Sequence, residues 1–183
     1  MIENNLPSWR QDLKSSRKKE GKSYSNRCVQ LATVSNKNDP RLRTVVFRGW
    51  HKDSSMIIFT DRRSEKIEHL KSNPNAEILW FFFKSKAQYR FKGQISELID
   101  NTNYWDTLSE ESQSSWFWGS PGERINPKLQ STYEILSNLP KPDNFVVLNF
   151  EIDSVDLLKL DHPIHKRYLW EKNNKWGKIE INP

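Results

Sequence analysis

The chain lacks several of the motifs with which proteins usually hold nucleotides and metals. Its 183 residues include only six glycines, with no Walker loop and no G-x-G-x-x-G sequence, which removes the glycine-rich phosphate loops from consideration. Cys28 is the single cysteine. No intramolecular disulfide can therefore form, and its apolar neighbours favour a buried strand residue over a nucleophile. The four histidines do not have the spacing of a zinc motif, so no metal site is predicted.

Long apolar runs are also missing. No stretch of about 18 apolar residues occurs, so the sequence predicts no membrane span. The opening MIENNLPSWRQDLKSSRKKEG has no apolar core of a secretory signal, and the cytoplasm is the expected location. Hydrophobic residues make up 35% of the chain, and eight tryptophans supply large rings for a small core. The length predicts a single domain over 1–183, with a basic helical extension at 1–24.

Positive charge is in excess, with a formal net charge of +6. This excess permits an anionic partner, and much of it lies in residues 10–27. Pro7 stands early in the segment, and Trp9 and Leu13 are four residues apart, which predicts a helix over 7–20. We interpret this region as a solvated, partly frayed helix in preference to a nucleic-acid surface.

Hydrophobic alternation and turn composition predict about seven strands with helices inserted between them. The continuous apolar run at 77–83 predicts a strand buried on both faces. The pattern favours a β-rich α+β domain, a closed and mostly antiparallel β-barrel with peripheral helices. The predicted strands are 27–35, 42–50, 56–60, 77–83, 87–98, 145–160 and a terminal hairpin at 167–182. The predicted helices, besides 7–20, are a segment from Asp61 to Asn73-Pro74, 100–117 and 128–139.

The start of the second predicted helix, at 61–66, is the strongest candidate for an anion site. A helix N-terminus presents unpaired N–H groups and a partial positive charge. Arg62, Arg63, Ser64 and Lys66 add cationic and hydroxyl donors at the same point. Cations at a helix N-terminus are unfavourable unless an anion lies between them, which favours a bound phosphate over the alternative of a solvated basic turn.

Three further features are compatible with a flavin mononucleotide (FMN). Arg43 and Arg48 project to opposite faces of an ideal strand unless a bulge near Gly49 intervenes. One could reach the phosphate and the other a ring carbonyl or a substrate. Gln88 can donate and accept, as the uracil-like edge of a flavin requires, and Arg167 near N1 and O2 would stabilise the anionic reduced ring. Each feature alone could equally be a solvated surface residue.

Five segments in order carry a family resemblance: RTVVFRG, FTDRRSEK, SNPNAEILWFF, AQYRFKGQISEL and the ending IHKRYLW…W…INP. Over residues 25–183 the chain resembles the pyridoxamine 5′-phosphate oxidase superfamily of FMN-binding split barrels. The segment SSWFWGSPGE at 114–123 is similar to a loop of a subfamily distinct from the true oxidases. The resemblance implies a homodimer with FMN at the subunit interface and a small-molecule substrate, with neither a membrane nor a nucleic acid as partner.

The resemblance also implies the site residues. Arg63, Ser64 and Lys66 match the phosphate turn, and Arg167 would come from the other subunit or from the same barrel. The implied cofactor contacts are Arg43, Thr44, Val45, Val46, Arg48, Phe59, Thr60, Arg63, Ser64, Lys66, Gln88 and Arg167. The implied substrate contacts are Arg48, Tyr104, Ser112 and His165.

Some positions depart from the family pattern. Leu108 and Pro163 stand where substrate-binding arginines are expected, Glu65 replaces an arginine of the phosphate turn, and Leu157 or Leu158 replaces a flavin-contacting tryptophan. We therefore expect an FMN-dependent oxidoreductase of unknown substrate. The alternatives are a pyridoxamine or pyridoxine 5′-phosphate oxidase with a rearranged pocket, a non-catalytic flavin or haem carrier, and a nucleic-acid binder.

Overall fold

The computed structural model describes residues 6–52, 54–125 and 134–183. Most predicted elements are present with bounds shifted by a few residues. The helices are α1 Trp9–Glu20, α2 Glu65–Ser72, α3 Thr102–Trp105 and α4 Glu110–Ser114. The strands are β1 Cys28–Val34, β2 Pro40–Lys52, β3 Ser55–Asp61, β4 Asn75–Phe82, β5 Ala87–Glu97, β6 Phe145–Lys159, β7 Lys166–Glu171 and β8 Ile179–Ile181.

All strand pairs are antiparallel, and the sheet closes on itself. The strand order is β3-β2-β1-β4-β5-β6-β7-β8, and an additional pairing joins β3 to β6. Six strands therefore form a closed barrel, while β7 and β8 extend the sheet beyond it. Closure removes the free edges that an open sheet would expose. The predicted fold class, a mostly antiparallel barrel with peripheral helices, is confirmed.

Strand β6 makes this topology possible because it changes partner halfway along. Its first half, up to Glu151, pairs with β3, and its second half, from Ser154, pairs with β7. Between the halves, the register against β5 shifts and leaves Asp153 without a partner, which is a β-bulge that bends the strand. Gly93 lies opposite the bulge, where a Cβ atom would collide with the carbonyl of Glu151. Only glycine fits there.

Helix α1 packs against the inward-facing side chains of the barrel. Trp9 is fully buried, with ring centroids 5.8 Å from Trp50 and from Phe91, and the Ser16 hydroxyl lies 3.0 Å from that of Tyr89. The prediction of a helix at 7–20 is confirmed. Its interpretation as a solvated, frayed element is wrong, because Trp9 and the next-turn Leu13 belong to the core.

A second apolar layer covers the outside of β3 and the first half of β6. It is built on Ile57, Trp105, Phe145 and Val147, which are buried. The predicted helix over 100–117 is broken here into α3, α4 and a 3-10 turn, since the Ser109 hydroxyl accepts from the amide of Ser112 and starts a new helix.

The predicted helix at 128–139 and the predicted burial of the strand at 77–83 are not confirmed. Most of the predicted helix at 128–139 lies outside the described residues, and its end, 134–139, is irregular. The strand at 77–83 is buried on one face only: Trp80 and Phe82 point into the core, whereas Phe81 is half-buried and Phe83 is 76% exposed. The described part of the chain does not cover the outer face of β4. No described helix is both long and apolar enough to cross a membrane.

Candidate cofactor site

Lys66, in the first turn of α2, marks the strongest candidate pocket. Its ammonium donates to the hydroxyls of Thr60 and Ser64, both at 2.9 Å. The side chain is half-buried, and burial, followed by the nearby charge of Arg43, lowers the pKa of Lys66. No salt bridge to Lys66 occurs within the described residues. The ammonium thus has hydroxyl partners and no carboxylate within salt-bridge distance; the charges of Asp61 and Glu65 act more weakly, to raise its pKa.

Backbone donors converge on the same place. Ser64 precedes the eight-residue α2 in an extended conformation, and its hydroxyl donates to the carbonyl of Asp61 at 2.7 Å. The first amides of a helix have no intrahelical partner, and they lie beside the two hydroxyls and the ammonium. This arrangement suits an anion with several oxygens, such as a phosphate.

Arg43 is held next to this pocket by β1. Its guanidinium donates to Thr33 Oγ1 at 2.7 Å and to the carbonyl of Leu31 at 3.2 Å. Thr33 is buried and lies 3.2 Å from Nδ1 of His69 on α2. Burial, and then the charge of Arg41, lowers the pKa of Arg43. The structure therefore brings Arg43, Thr60, Ser64 and Lys66 to one region, as the sequence predicted.

The other two arginines of the turn point away from the pocket. Arg62 forms an ion pair with Glu97 and donates to the carbonyl of Asp143 at 3.0 Å. Arg63 pairs with Asp61 at 2.7 Å and approaches the carbonyl of Trp118. Two of the three cations in the charge conflict expected from the sequence are thus paired with carboxylates. Arg63 was predicted as a phosphate ligand, but its guanidinium is committed to Asp61.

The contacts of Asp61 determine the direction in which the pKa of its carboxyl group moves. Burial on its own acts to raise the pKa of Asp61, but hydrogen bonds from Arg63 and Asn144 outweigh it and the pKa is lowered. Asn144 reaches Asp61 at 2.9 Å from the start of β6. The Asp61 carboxylate therefore stays ionised and fixes the strand-to-helix turn from which Ser64 and Lys66 project.

A β-bulge places Arg48 on the outer side of the barrel. The register joins Phe47 to Ile58 and Gly49 to Ile57, so Arg48 is left without a partner. Gly49 has φ of 145°, which L side chains rarely adopt. The bulge expected near Gly49 is confirmed.

Arg48 lies in an aromatic corner outside the barrel. Its guanidinium is 5.1 Å from the centroid of the Phe59 ring, and the Tyr104 ring is 5.8 Å from Phe59 in an edge-on arrangement. The Tyr104 hydroxyl lies 3.3 Å from Nδ1 of His51. Two predicted substrate contacts, Arg48 and Tyr104, are thus gathered around one predicted cofactor contact.

The remaining predicted substrate contacts lie in other settings. Ser112 lies in the first turn of α4, with its hydroxyl 3.0 Å from that of Ser109, the residue before the helix. His165 is exposed, with Nδ1 3.0 Å from the carbonyl of Asp161. Neither contact links Ser112 or His165 to the corner of Arg48, so their assignment to a substrate stays a prediction.

Several predicted ring contacts share the outer face of the sheet. Thr44 is exposed and Val46 half-buried there, but Val45 points inward and is packed in the core. The side chain of Val45 therefore cannot serve as a cofactor contact, because strand residues alternate between faces. Gln88 on β5 pairs with Leu158 on β6, which in turn pairs with Arg167 on β7.

Leu158, and not Leu157, fills the position between Gln88 and Arg167. Leu157 is fully buried inside the barrel, whereas Leu158 is half-buried on the outer face. Of the two leucines that the sequence allowed, Leu158 is therefore the apolar residue beside these polar groups.

Arg167 is engaged in an ion-pair network on that face. It donates to both oxygens of Asp156, at 3.0 and 2.7 Å, and Arg90 pairs with the same carboxylate. The hydrogen bond that Arg167 donates to Asp156 raises the pKa of Arg167. Burial acts to raise the pKa of Asp156, but Arg167 and Arg90 together lower it. Sequence reasoning missed Asp156 and Arg90, since only the strand register brings them opposite each other.

Comparisons with known proteins agree with this geometry. Residues 6–98 match the model of the family described as pyridoxamine 5′-phosphate oxidase, FMN-binding domain. A pyridoxine/pyridoxamine 5′-phosphate oxidase 2 from Arabidopsis thaliana is 38% identical over 146 residues, covering 72% of this chain and 73% of the relative.

Two solved structures share the fold. A pyridoxamine 5′-phosphate oxidase-related, FMN-binding protein from Nostoc punctiforme PCC 73102 superimposes with a TM-score of 0.89 at 26% identity, over 97% of this chain and 99% of that one. PhzG from Burkholderia lata 383, in complex with tetrahydrophenazine-1-carboxylic acid, gives 0.81 at 20% identity, over 96% and 89%. The molecule is a split-barrel protein. Within that class, the chain belongs to the pyridoxamine 5′-phosphate oxidase FMN-binding domain family.

Proposed function

We propose that this protein binds FMN with the phosphate in the pocket of Thr60, Ser64 and Lys66. The observation that carries the proposal is the half-buried ammonium of Lys66, which has two hydroxyl partners and forms no salt bridge among the described residues, while Asp61 and Glu65 act on it only from a distance. A partly buried charge without a counter-charge is unfavourable. A phosphate would neutralise it and would accept from the Lys66 ammonium, the Thr60 hydroxyl and the first amides of α2.

The ring would extend from the phosphate towards the outer side of β2. Arg48, Phe59 and Tyr104 would border it there, and the bulge at Gly49 lets the backbone approach closely. FMN, when bound, supplies hydride or electron transfer through N5. No side chain of the protein has to act as a nucleophile. Its residues anchor the phosphate, orient the ring and set the charge around it.

Gln88 and Arg167 would serve the FMN of a partner subunit. Thr60 pairs with Val146 and Gln88 pairs with Leu158, so the two contacts lie twelve residues apart along β6. At ~3.3 Å per residue, this is roughly 40 Å of strand path, far longer than one mononucleotide. Because β6 bends at its bulge, this path is an upper bound on the separation, and it supports the assignment of Gln88 to the FMN of the other subunit.

The protein is, in this proposal, a homodimer with FMN at the interface. The outer face of β4 offers a suitable contact surface, because Leu79 and Phe81 are half-buried and Phe83 is largely exposed. Exposed apolar patches on otherwise polar proteins are typical of subunit interfaces. A two-fold arrangement would place Gln88 and Arg167 of each subunit against the ring held by the other.

The reaction would be an FMN-dependent oxidation or reduction of a small molecule. Family membership supports this class of reaction. The aromatic corner beside Arg48 would take the substrate, with the guanidinium available for an anionic group. FMN itself is tested by an absorbance spectrum from about 300 to 600 nm before and after adding FMN. Flavin bands near ~370 and ~450 nm that co-purify or shift on binding would support the proposal, and a featureless protein that takes up no FMN would refute it.

Oxidation of pyridoxamine or pyridoxine 5′-phosphate is the second candidate, favoured by the 38% identity to the Arabidopsis thaliana relative. Leu108 weighs against it, because it packs in the apolar layer outside β3 instead of presenting a cation. Turnover of pyridoxamine 5′-phosphate with release of hydrogen peroxide would establish this activity. Its absence in an FMN-loaded protein would leave a different substrate.

A further inference from the structure

A second cationic cleft lies beside α1 and approaches the aromatic corner through Arg27, since burial and then the charge of Arg27 lower the pKa of Arg48. It has a volume of about 950 Å³ and runs between α1, the segment at 21–27 and Trp50. Six of its lining residues are cationic: Arg10, Lys14, Arg17, Lys18, Lys22 and Arg27. None of them belongs to the FMN site proposed above. The cleft is within the size range of small-molecule pockets.

Arg17 forms the inner wall of this cleft. Its guanidinium lies 5.0 Å from the Phe47 ring centroid and 5.1 Å from that of Trp80, so aromatic faces hold it in place. The rings do not accept its N–H groups, however, and Nε of Arg17 is buried without a hydrogen-bond partner in the described chain. Burial and then the charge of Arg27 lower the pKa of Arg17.

The acidic residues of α1 do not compensate this charge. Asp12 pairs with Lys159 and Lys178, at 3.4 and 3.7 Å, on another side of the helix. Glu20 accepts from the backbone amide of Lys84 at 3.0 Å. In the regions that the structure describes, neither Arg17 nor Arg27 forms a salt bridge.

Asn26, which also lines the cleft, adds an unsatisfied polar group. It is 8% exposed, and its amide nitrogen donates to the carbonyls of Arg17 and Gly21. Its Oδ1 is buried without a partner among the described residues. Buried polar atoms normally have hydrogen-bond partners; these two neighbouring exceptions leave one donor, Arg17 Nε, and one acceptor, Asn26 Oδ1, available to a ligand in the cleft.

We propose that this cleft binds a small phosphate-bearing anion, at a site separate from the FMN pocket. Arg17 and Arg27 would grip the phosphate oxygens through their forked N–H groups, and a ligand hydroxyl would donate to Asn26 Oδ1. A half-buried arginine at the base of an enclosed cleft suits a compact ligand. A nucleic acid strand would instead need a continuous exposed stripe of cations with free aromatic faces; Arg10 already covers the Trp50 ring at 3.5 Å.

The test is a calorimetric titration of the full chain, saturated with FMN, with inorganic pyrophosphate at constant ionic strength. Arg27→Gln and Arg17→Gln should each weaken binding by tenfold or more. Arg27 is exposed, so its replacement should leave the fold intact even if loss of the buried Arg17 does not. Lys37→Gln is the matched control, since it removes one exposed charge at the other end of β1 and should change nothing.

A Lys66→Gln variant separates the two sites. Pyrophosphate binding that disappears in Lys66→Gln but persists in Arg27→Gln would place the anion in the FMN pocket and overturn the proposal. Equal binding by all variants would overturn it too, as would tight binding of a single-stranded oligonucleotide that pyrophosphate does not displace. If the protein takes up no FMN but binds pyrophosphate, and Arg27→Gln weakens that binding, the proposed FMN function is refuted and the proposed anion site in the cleft is supported.

Discussion

Arg167 holds Asp156 through two hydrogen bonds, and Arg90 holds the same carboxylate from the neighbouring strand. Glu77 lies 3.8 Å from Arg90 and makes the network neutral, on the outer face that we assign to the flavin ring. Arg167→Ala should therefore lower the reduction potential of bound FMN, by roughly 30 mV or more, because the anionic reduced ring loses a stabilising charge. Asp156→Asn should shift the potential in the opposite direction. Redox titration with a reference dye measures both, and an unchanged potential in both variants would place this network away from the ring.

Lys66 is expected to discriminate FMN from riboflavin. Lys66→Ala removes a charge-assisted contact to the phosphate and should weaken FMN by roughly 10- to 100-fold, about 1.5–3 kcal/mol. Riboflavin, which has no phosphate, should bind nearly as before. Lys71→Ala is the control, because Lys71 lies on the same helix in an exposed pair with Glu68, and such pairs contribute little. Equal losses for FMN and riboflavin, measured by quenching of flavin fluorescence, would contradict the phosphate assignment.

Stability should fall in acid through Asp156. Because its pKa is lowered in the folded chain, the ionised carboxylate stabilises the fold fully above the ordinary value of 3.8. That contribution is lost as the pH falls below 3.8 and through the folded-state pKa. Urea unfolding measures the free energy of unfolding at pH 7 and near pH 3. The decrease between the two pH values should be smaller for Asp156→Asn than for the parent, by about 1 kcal/mol. Asp153→Asn, which replaces an exposed carboxylate of the same strand, is the control and should behave like the parent. If Asp156→Asn loses as much stability in acid as the parent does, this ion pair is not the source of the loss.

Local patterns in the sequence were sufficient to predict the barrel and its N-terminal helix. Alternation along 87–98 matches β5, and the spacing of Trp9 and Leu13 matches the buried face of α1. Burial is a tertiary property, and for that reason α1 was wrongly interpreted as solvated. The spacing of two apolar residues shows which face of a helix is apolar, but not whether a barrel interior stands opposite it.

The candidate site was predictable where it is built from neighbours in sequence. Ser64 and Lys66 lie within one strand-to-helix turn, so the pattern of a hydroxyl and a cation revealed them, whereas Thr60 was implied only by the family resemblance. Arg62 could not be understood in the same way, because its partner Glu97 is 35 residues away and reaches it only through the fold. The same limit applies to Asp156, whose contacts depend on the register of three strands.

Gly93 is expected to be intolerant of any side chain. Gly93→Ala would drive a Cβ atom into the backbone of Glu151 at the bulge where β6 changes partner. The strands would have to separate, at an expected loss of about 2–3 kcal/mol in the free energy of unfolding. Gly119→Ala is the control, because no atom lies within 4 Å of a Cβ there. Chemical denaturation of the two variants measures their free energies of unfolding. Equal values would show that the bulge accommodates the added methyl group at little cost.

A mixed dimer tests whether two subunits build each FMN site. Lys66→Ala and Arg167→Ala homodimers each have two defective sites. If Arg167 serves the partner's FMN, a heterodimer of the two variants contains one site with both residues and one site with neither. Differently tagged copies, co-expressed and purified through both tags, should therefore bind one FMN per dimer with parental affinity and parental potential. If Lys66 and Arg167 act within one subunit, every site of the heterodimer lacks one residue, and neither property should recover. A monomer in sedimentation analysis would refute the shared site directly.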